Sequence, residues 1–322
     1  MSVVDSKTQD RTHSSVVIIG GGPVGMTAAT ILAQEGVDVT LVELNPEPMP
    51  DWRASTFHSP TLELLDRIGI VERMHREGLV VPRYQFRDRK AGLVAEYDFS
   101  LLADETRYPY RLQLNQQRLV EMLYEGLQVA PTASLVFGTQ LVGLTTHDDG
   151  VTLTLKDVAS GTERQLEASF VIGADGARST TRNLLEVPFE GMTYMERFLI
   201  TSTPVDMAEL IPDLAPVNYI ADPEEWLFIL RTPESWRVLW PVPTDIESEV
   251  AMSDEEIERH LQGVAPRAES YPILDRQIYS VHQRVAERFV TGRTLLMGDA
   301  AHINSPVGGV GLNSGIHDAF DA

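Results

Sequence analysis

Short apolar runs alternate with helical spacing at the start of the chain. The β-branched run 16–19 is typical of a fully buried strand, and the glycines of 20–25 indicate a turn. Apolar spacing over 26–36 predicts a helix, and the run 38–43 predicts a second strand. A strand, a helix and a strand in this order form a βαβ unit, which implies a parallel sheet with a right-handed crossover.

Further along, the spacing of apolar residues switches repeatedly between the 3.6-residue period of a helix and the 2-residue period of a strand. The spacing predicts one or two helices over 59–78 and another helix over 116–128. Alternation over 84–99 predicts antiparallel strands, and 134–157 reads as two strands with an Asp-Gly turn. The run 168–176 predicts another buried strand that ends in glycine.

In the last third of the chain, a region rich in aromatics and prolines is followed by a return to the strand and helix pattern of the first residues. Residues 190–250 are rich in aromatics and prolines, which favours a meander of antiparallel strands. A capping box opens a helix at 253–264, and the last strand and last helix are predicted over 293–299 and 309–322.

The predicted fold class is therefore α/β. A Rossmann-like core, with a parallel sheet and a βαβ start, carries an inserted and mostly antiparallel β substrate domain. The expected division is a disordered leader, 1–15; a discontinuous core, 16–75, 105–185 and 276–322; and a substrate domain, 76–104 and 186–275.

Composition excludes several classes of function. The 322 residues carry a formal charge of −21, so the basic footprint of a nucleic-acid binder is missing and an anionic membrane surface is disfavoured. The chain has no cysteine, which excludes disulfides, thiolate catalysis and zinc-thiolate sites, and no metal site is expected. The polar leader lacks the apolar core of a signal peptide, so a cytoplasmic location is expected.

The first motif with chemical meaning is Gly20-x-Gly22-x-x-Gly25, placed between a strand and a helix. One glycine makes the tight turn, the next lets backbone approach a pyrophosphate, and the third lets helix and strand pack closely. Glu43 ends the next strand, where it would accept hydrogen bonds from ribose hydroxyls and repel a 2′-phosphate. The motif predicts dinucleotide binding but does not distinguish FAD from NAD.

The second motif follows the strand over 168–176. Asp175 and Gly176 end the strand, and Arg178 and Arg182 follow, which suits phosphate recognition.

The third motif lies near the end of the chain. Asp299 follows an apolar strand, and a buried carboxylate needs donors such as the hydroxyls of a ribityl chain. The glycines after it would bring a helix N-terminus, near Gly311 to Asn313, against the N1–C2=O edge of a flavin, where reduced flavin carries negative charge.

The three stretches, in this order, resemble the class A flavoprotein monooxygenases, the aromatic hydroxylases related to para-hydroxybenzoate hydroxylase. The resemblance covers nearly the whole chain. It implies non-covalent FAD held by the α/β core, NAD(P)H as a co-substrate without a domain of its own, and an aromatic substrate beneath the antiparallel sheet. It also implies transfer of oxygen from O₂ to an aromatic carbon through a flavin C4a-hydroperoxide.

The resemblance assigns cofactor contacts residue by residue. It implies that Arg53, which comes after the second strand, contacts the cofactor. It also implies that the Val142 backbone contacts the adenine and that Pro306 lies over the reactive face of the flavin. Gln116 resembles a cofactor-contacting glutamine, although Gln117 beside it leaves the register open. The full expected set is Gly20, Gly22, Pro23, Val24, Gly25, Glu43, Arg53, Gln116, Val142, Asp175, Arg178, Gly298, Asp299, Pro306, Gly309, Gly311, Leu312 and Asn313.

Two further expectations concern the substrate. His58 and Tyr219, and after them Tyr108, are candidates to assist deprotonation of a phenol, although each is also explained as a packing residue. The aromatics of 190–250, Trp226, Phe228, Trp236 and Trp240, suit a flat apolar ring but also any β core.

Other functions of the same fold stay open. A flavin-dependent halogenase would need a Trp-x-Trp pair and a catalytic lysine, whereas the tryptophans of 236–243 are too far apart and the only lysines are Lys7, Lys90 and Lys156. A reductase, a dehydrogenase and an FAD-binding protein without turnover are alternatives. Members of the resembled family continue beyond the position of Ala322, so part of the family pattern is expected to be missing.

Overall fold

The structure, a computed structural model, describes residues 12–49, 54–223 and 225–322. The strands are, in chain order, β1 His13–Ile19, β2 Val39–Val42, β3 Thr56–Phe57, β4 Leu79–Val81, β5 Arg83–Asp88, β6 Gly92–Asp98, β7 Arg111–Gln113, β8 Ala133–Val136, β9 Thr139–Thr146, β10 Val151–Asp157, β11 Glu163–Gly173, β12 Phe189–Thr203, β13 Val217–Ala221, β14 Leu227–Arg231, β15 Trp236–Val242, β16 Asp275–Ala286, β17 Val290–Thr291, β18 Thr294–Leu296 and β19 His302–Ile303.

Helices cover the sheets and fill the connections. The α-helices are α1 Pro23–Gln34, α2 Ser59–Arg67, α3 Val71–Glu77, α4 Gln116–Val129, α5 Thr180–Leu184, α6 Met207–Leu210, α7 Ser248–Ala251, α8 Asp254–Val264 and α9 Gly311–Asp321. Single 3₁₀ turns lie at Phe99–Leu102, Gly298–Ala300 and Pro306–Gly308.

The first sheet is the parallel core that the βαβ start predicts. Its order is β17-β18-β11-β1-β2-β8, in which β18, β11, β1, β2 and β8 run parallel, and β9 and β10 extend it as an antiparallel pair. Both faces of β1 are buried: Ile18 packs under α1, α4 and α9, and Val17 packs against the β9–β10 side. The near-continuous apolar run of β1 follows from this two-sided burial.

The second sheet is antiparallel except where β13 runs parallel to β5. Its order is β19-β16-β12-β15-β14-β13-β5-β6. The outer face packs under α7 and α8 around Leu199, Trp236 and Trp240. The inner face, which carries Phe198 and Leu239, turns toward the first sheet. Strands β3, β7 and β4 form a small sheet between the two.

The fold class is confirmed, and four details differ from the sequence-based expectations. Strand β1 begins at His13, inside the expected leader, because 13–14 pair with 167–168 of β11. The segment 134–157 holds three strands rather than two, because Gly138, at φ +64°, turns the chain between β8 and β9.

Two strands pair with a different sheet from the one that the expected division suggests. Strand β16, expected in the core from 276 onward, pairs with β12 over nearly its whole length and therefore belongs to the second sheet. Strand β4, expected in the substrate domain, pairs with β7 in the small sheet. Among the helices that the structure describes, none is long and apolar enough to cross a membrane.

A glycine in α9 sets the distance between α9 and α1. A Cβ on Gly315 would lie 2.5 Å from Val24 Cγ2 and 3.2 Å from the Gly298 Cα. Only a residue without a side chain lets the two helices approach so closely.

We predict that Gly315→Ala lowers the free energy of unfolding relative to Gly126→Ala. Overpacking costs about 1–3 kcal/mol. The control lies in α4 with nothing within 4 Å of its Cβ, so Ala there should stabilise the helix by about 1 kcal/mol. Urea denaturation measures the free energy of unfolding of both variants. Adding Val24→Ala to the Gly315→Ala variant should restore much of the lost stability. Equal stabilisation by both substitutions would contradict the tight packing.

Candidate active site

One cavity of about 690 Å³ joins the two main sheets. One end lies at the carboxyl ends of β1, β2 and β11, and the other end lies under the inner face of the second sheet. Ligands in open α/β sheets bind outside the carboxyl ends of the strands, so this is the expected place for a nucleotide.

The glycines of the first motif have three different roles. A Cβ on Gly20, which has φ +109°, would collide with the Ala174 carbonyl, and a Cβ on Gly25 would collide with the Gly20 carbonyl. Gly22 is different, since a Cβ there would meet nothing within 4 Å. The helix it opens, α1, has no side-chain cap at its N-terminus. Open space in front of uncapped N–H groups fits a pyrophosphate.

Glu43 both fixes this turn and faces the cavity. Its Oε2 accepts a hydrogen bond from the Gly21 N–H at 2.6 Å, and its Oε1 accepts from Asn45 N at 2.8 Å and Nδ2 at 2.6 Å. A carboxylate has about four acceptor sites, so capacity remains for a hydroxyl of the ligand. The geometry therefore fits a ribose at the end of β2.

The acidic residue of the second motif shapes its own loop. The Asp175 carboxylate accepts from Ser179 Oγ at 2.5 Å and from Thr181 N and Oγ1 at 2.9 and 3.0 Å. The two arginines separate: Arg178 is exposed on the cavity wall, while Arg182 is buried and donates to the Ala300 carbonyl at 2.8 Å. Of the two arginines, Arg178 alone faces the cavity.

In the third motif, the carboxylate that accepts a hydrogen bond from the turn belongs to Asp318 and not to Asp299. Asp299 is exposed on the cavity wall, so the expectation that it is buried was wrong. Asp318 of α9 accepts from the Gly298 N–H at 2.8 Å and pairs with His302 Nε2 at 2.9 Å. The positive φ of Gly298, +55°, lets its N–H point back at α9. Asp299 lines the cavity beside this turn.

Asn313 holds the glycine loop in place rather than lining the cavity. Its Nδ2 donates to the Thr56 carbonyl at 2.9 Å and to the Gly309 carbonyl at 2.7 Å, and its Oδ1 accepts from the His58 N–H at 3.0 Å. The side chain is buried. It therefore ties the 306–312 loop to β3, and the loop itself contacts the cavity.

Most of the expected cofactor residues meet at this cavity. Those that line it are Gly20, Gly22, Pro23, Val24, Glu43, Gln116, Asp175, Arg178, Asp299, Pro306, Gly309, Gly311 and Leu312. Gln116 lines it and Gln117 does not, and Leu141 lines it in place of Val142. Gly25, Gly298 and Asn313 lie behind the wall, and Arg53 lies outside the described residues. The cofactor contacts themselves stay predictions.

The candidates for phenol deprotonation lie in three different environments. Tyr219 lines the cavity, and its hydroxyl lies 3.5 Å from both Arg111 Nη1 and the Val307 carbonyl. His58 does not line it, since its ring lies behind Gly309, where burial and then the nearby Arg111 lower its pKa. Tyr108 is buried against His75 and Tyr110, away from the cavity.

Only part of the aromatic region faces the cavity. Phe228 lines it, Trp236 and Trp240 lie on the opposite face of the sheet, and Trp226 packs on Phe198 at its margin. The sequence reasoning missed further lining residues of the second sheet, among them Ile200, Leu230, Arg237, Leu239, Tyr279 and Val281. The alternation along β14 and β15 was the available signal, because every second side chain points inward.

A cavity at the carboxyl ends of a βαβ unit, with this glycine turn and this acid, defines a dinucleotide-binding protein. A family model described as "FAD binding domain" matches residues 13–322, and the chain belongs to that family. Several curated relatives are named as monooxygenases or hydroxylases of aromatic compounds.

Two curated relatives illustrate the similarity. The chain is 32% identical over 317 residues to para-nitrophenol 4-monooxygenase of Pseudomonas sp. (strain WBC-3), which covers 96% of this chain and 76% of that protein. It is 30% identical over 314 residues to pentachlorophenol 4-monooxygenase of Sphingobium chlorophenolicum, covering 96% of this chain and 57% of that one. The chain therefore spans between about half and three quarters of these relatives.

Two solved structures share the fold. The p-nitrophenol 4-monooxygenase PnpA from Pseudomonas putida DLL-E4 superposes with a TM-score of 0.90 at 31% identity, over 96% of this chain and 78% of that one. The flavin-dependent monooxygenase PieE, solved with FAD and substrate, gives 0.86 at 26% identity, over 96% and 56%.

We predict that Gly22→Val folds normally but binds FAD at least about tenfold more weakly, a loss of ~1.4 kcal/mol. The new side chain meets no protein atom near its Cβ, yet it fills the space reserved for phosphate. Gly126→Val, which also has open space at its Cβ, is the control and should leave binding unchanged. Fluorescence titration of the apoprotein gives both affinities, and unchanged affinity for Gly22→Val would place the phosphates elsewhere.

We also predict a pH-dependent contribution from His302. The hydrogen bond to Asp318, and then the charges of Asp318 and Asp299, raise the pKa of His302 above 6.5. The pair therefore stabilises the fold fully below that ordinary pKa and ceases to do so as pH rises through the raised value. The stability cost of His302→Gln, measured by urea denaturation, should shrink as pH rises from about 6 to about 9.

Exposed His147, which bonds Thr152 Oγ1, supplies the control for this experiment. His147→Gln should have little effect on the free energy of unfolding at any pH. A cost of His302→Gln that stays constant with pH would contradict the role of the charged pair.

Proposed function

We propose that this chain is an FAD-dependent, NAD(P)H-using monooxygenase that hydroxylates a phenol or a related small aromatic compound. The observation that carries the proposal is one continuous cavity that runs from the three glycine motifs to the aromatic inner face of the second sheet. A flavin ring at the glycine loop would then lie beside a flat apolar pocket, as transfer of oxygen to a ring requires.

The relatives support this substrate class. Their names specify para-nitrophenol and pentachlorophenol, both of which are phenols. The residues here suit such a ring: Tyr219 stands between Phe86, at 5.1 Å, and Phe228, at 4.8 Å, and Leu239 and Tyr279 complete the walls. Burial raises the pKa of Tyr279, so its hydroxyl stays protonated at this wall.

FAD, when bound, would supply the redox chemistry that carries electrons from NAD(P)H to oxygen. The chain supplies position and environment. The uncapped N-termini of α1 and α9 face negative groups of the ligand, and Glu43 and Asp299 offer acceptors to its hydroxyls. The apolar inner face excludes water from the aromatic end. We propose Tyr219, whose hydroxyl lies 3.5 Å from Arg111 Nη1, as the residue that exchanges a proton with a phenol.

The alternatives are less well supported by the described residues. A halogenase would need a lysine at the cavity, but Lys90 and Lys156 lie outside its lining, and Lys7 lies outside the described residues. A reductase or an inactive FAD protein would not need an aromatic chamber continuous with the flavin loop.

We predict that the FAD-loaded protein consumes NAD(P)H faster when a suitable phenol is present and incorporates one atom of O₂ into it. Ile200→Trp should fill the aromatic end, abolish hydroxylation and leave FAD bound, because Ile200 belongs to the second sheet and not to the glycine motifs. Met195→Trp, on the exposed part of the same strand, should change neither. Mass spectrometry after reaction under ¹⁸O₂ measures the product, and peroxide release without hydroxylation across a panel of phenols would refute the proposal.

A further inference from the structure

A histidine that has no part in the proposed chemistry lies directly behind the glycine loop. His58 follows β3, and its Nε2 lies 3.7 Å from the position that a Cβ on Gly309 would occupy. The Nε2 atom is buried and, among the residues that the structure describes, forms no hydrogen bond of normal geometry. Gly308 and Gly309 themselves line the cavity. One short backbone segment therefore separates a buried titratable atom from the place expected for the flavin.

The His58 backbone is tied to the helix end that is expected at the flavin. Its N–H donates to Asn313 Oδ1 at 3.0 Å, and Asn313 lies in the first turn of α9. That N-terminus is the expected contact of the N1–C2=O edge, where reduced flavin carries negative charge. His58 is consequently held close to the point at which the charge of the cofactor changes.

The surroundings of the His58 ring disfavour its charged form. Burial is the largest cause of its lowered pKa, and the charge of Arg111, on the neighbouring β7, is the next. His58 is also the N-cap residue of α2, so a cation there faces the positive end of a helix dipole. From α9, the titratable group that contacts α2 is His317, at 3.3 Å from Thr61 Oγ1. A negative charge in the cavity would oppose all of these effects.

The proton itself would have acceptors nearby. The backbone of Gly308 and Gly309 favours the protonated ring, although less strongly than burial and Arg111 disfavour it. The imidazole is therefore poised between its two forms, and a change of charge beyond the glycine loop can decide which form prevails.

We propose that His58 takes up a proton when the bound FAD is reduced and releases it when the FAD is reoxidised. Hydride transfer from NAD(P)H brings two electrons and one proton to the flavin and leaves one negative charge at the N1–C2=O edge. A second proton, drawn from solvent, binds His58 Nε2 and offsets that charge. Opposite unit charges a few ångströms apart inside a protein change a protonation equilibrium by more than about tenfold. The inference rests on FAD binding and not on the proposed hydroxylation.

The two forms of the ring define a pH window. The surroundings hold the pKa of His58 below 6.5, and the negative charge of reduced flavin raises it. Between these two values, reduction binds one proton more than it does at higher or lower pH. The midpoint potential should therefore depend more steeply on pH inside the window, by up to about 30 mV per pH unit for one additional proton per two electrons.

The test measures the midpoint potential of the FAD-loaded protein from about pH 5.5 to about pH 9, with dithionite, a reference dye and no aromatic ligand. His58→Gln keeps a polar side chain that cannot gain a charge, so its slope should be shallower than that of the parent by up to about 30 mV per pH unit. His75→Gln is the matched control. Burial also lowers the pKa of His75, but that ring contacts Tyr108 and Tyr110 and does not line the cavity. The slope of His75→Gln should equal that of the parent.

The absorption spectrum of the reduced protein separates a proton on His58 from a proton on the flavin, because it shows whether the flavin N1 is ionised. With N1 ionised, the parent should bind two protons per two electrons inside the window and His58→Gln should bind one. Equal slopes in these two proteins would overturn the inference, and so would an equal loss in His75→Gln. If His58→Gln does not retain FAD, the parent decides alone: one proton per two electrons at every pH, with N1 ionised, contradicts the inference, and two protons support it.

The failure of this inference and the failure of the proposed function are distinguishable. A proton that follows FAD reduction through His58, without hydroxylation of any phenol, refutes the proposed function and leaves the inference standing. Hydroxylation by a protein whose potential is indifferent to His58 does the reverse.

Discussion

The close approach of α9 to α1 is the constraint on which the site depends. Gly315 lies against Val24 and Gly298, and this contact brings the N-termini of both helices to one cavity. Neither N-terminus has a side-chain cap, so each presents free N–H groups and the positive end of a helix dipole. A larger residue at Gly315 would separate the helices and, with them, the two ends of the proposed FAD site. The glycine turns before α1 and α9 can contact one ligand only because this contact sets the distance between them.

Carboxylates hold the three turns in shape without a ligand. Glu43 accepts from the Gly21 N–H, Asp175 accepts from the Thr181 N–H, and Asp318 accepts from the Gly298 N–H. Each turn would otherwise lose conformational entropy when the ligand binds. Since these acids fix the turns, binding needs less ordering of the chain, and Asp299 stays directed at the cavity.

Local patterns predicted the βαβ start, the glycine turn and the order of the three motifs, because each depends on neighbours in the sequence. The role of Asn313 could not be read in this way, since its partners Thr56 and His58 lie more than 250 positions away. Alternation along β15 also leaves open which face is inward. Trp236 and Trp240 therefore suited the substrate equally well until the second sheet placed them under α8.

The charge of the whole chain and the charge of the cavity act over different distances. At physiological ionic strength, exposed charges are screened over about 8 Å, so most of the surface acids contribute little at the aromatic end. A cation enclosed by apolar and aromatic side chains is screened much less. Arg111 is such a cation, and Tyr219 beside it can both donate and accept a hydrogen bond. The local charge at the aromatic end is therefore set by a few residues such as those on β7 and β13, and the acidity of the rest of the chain has little effect there.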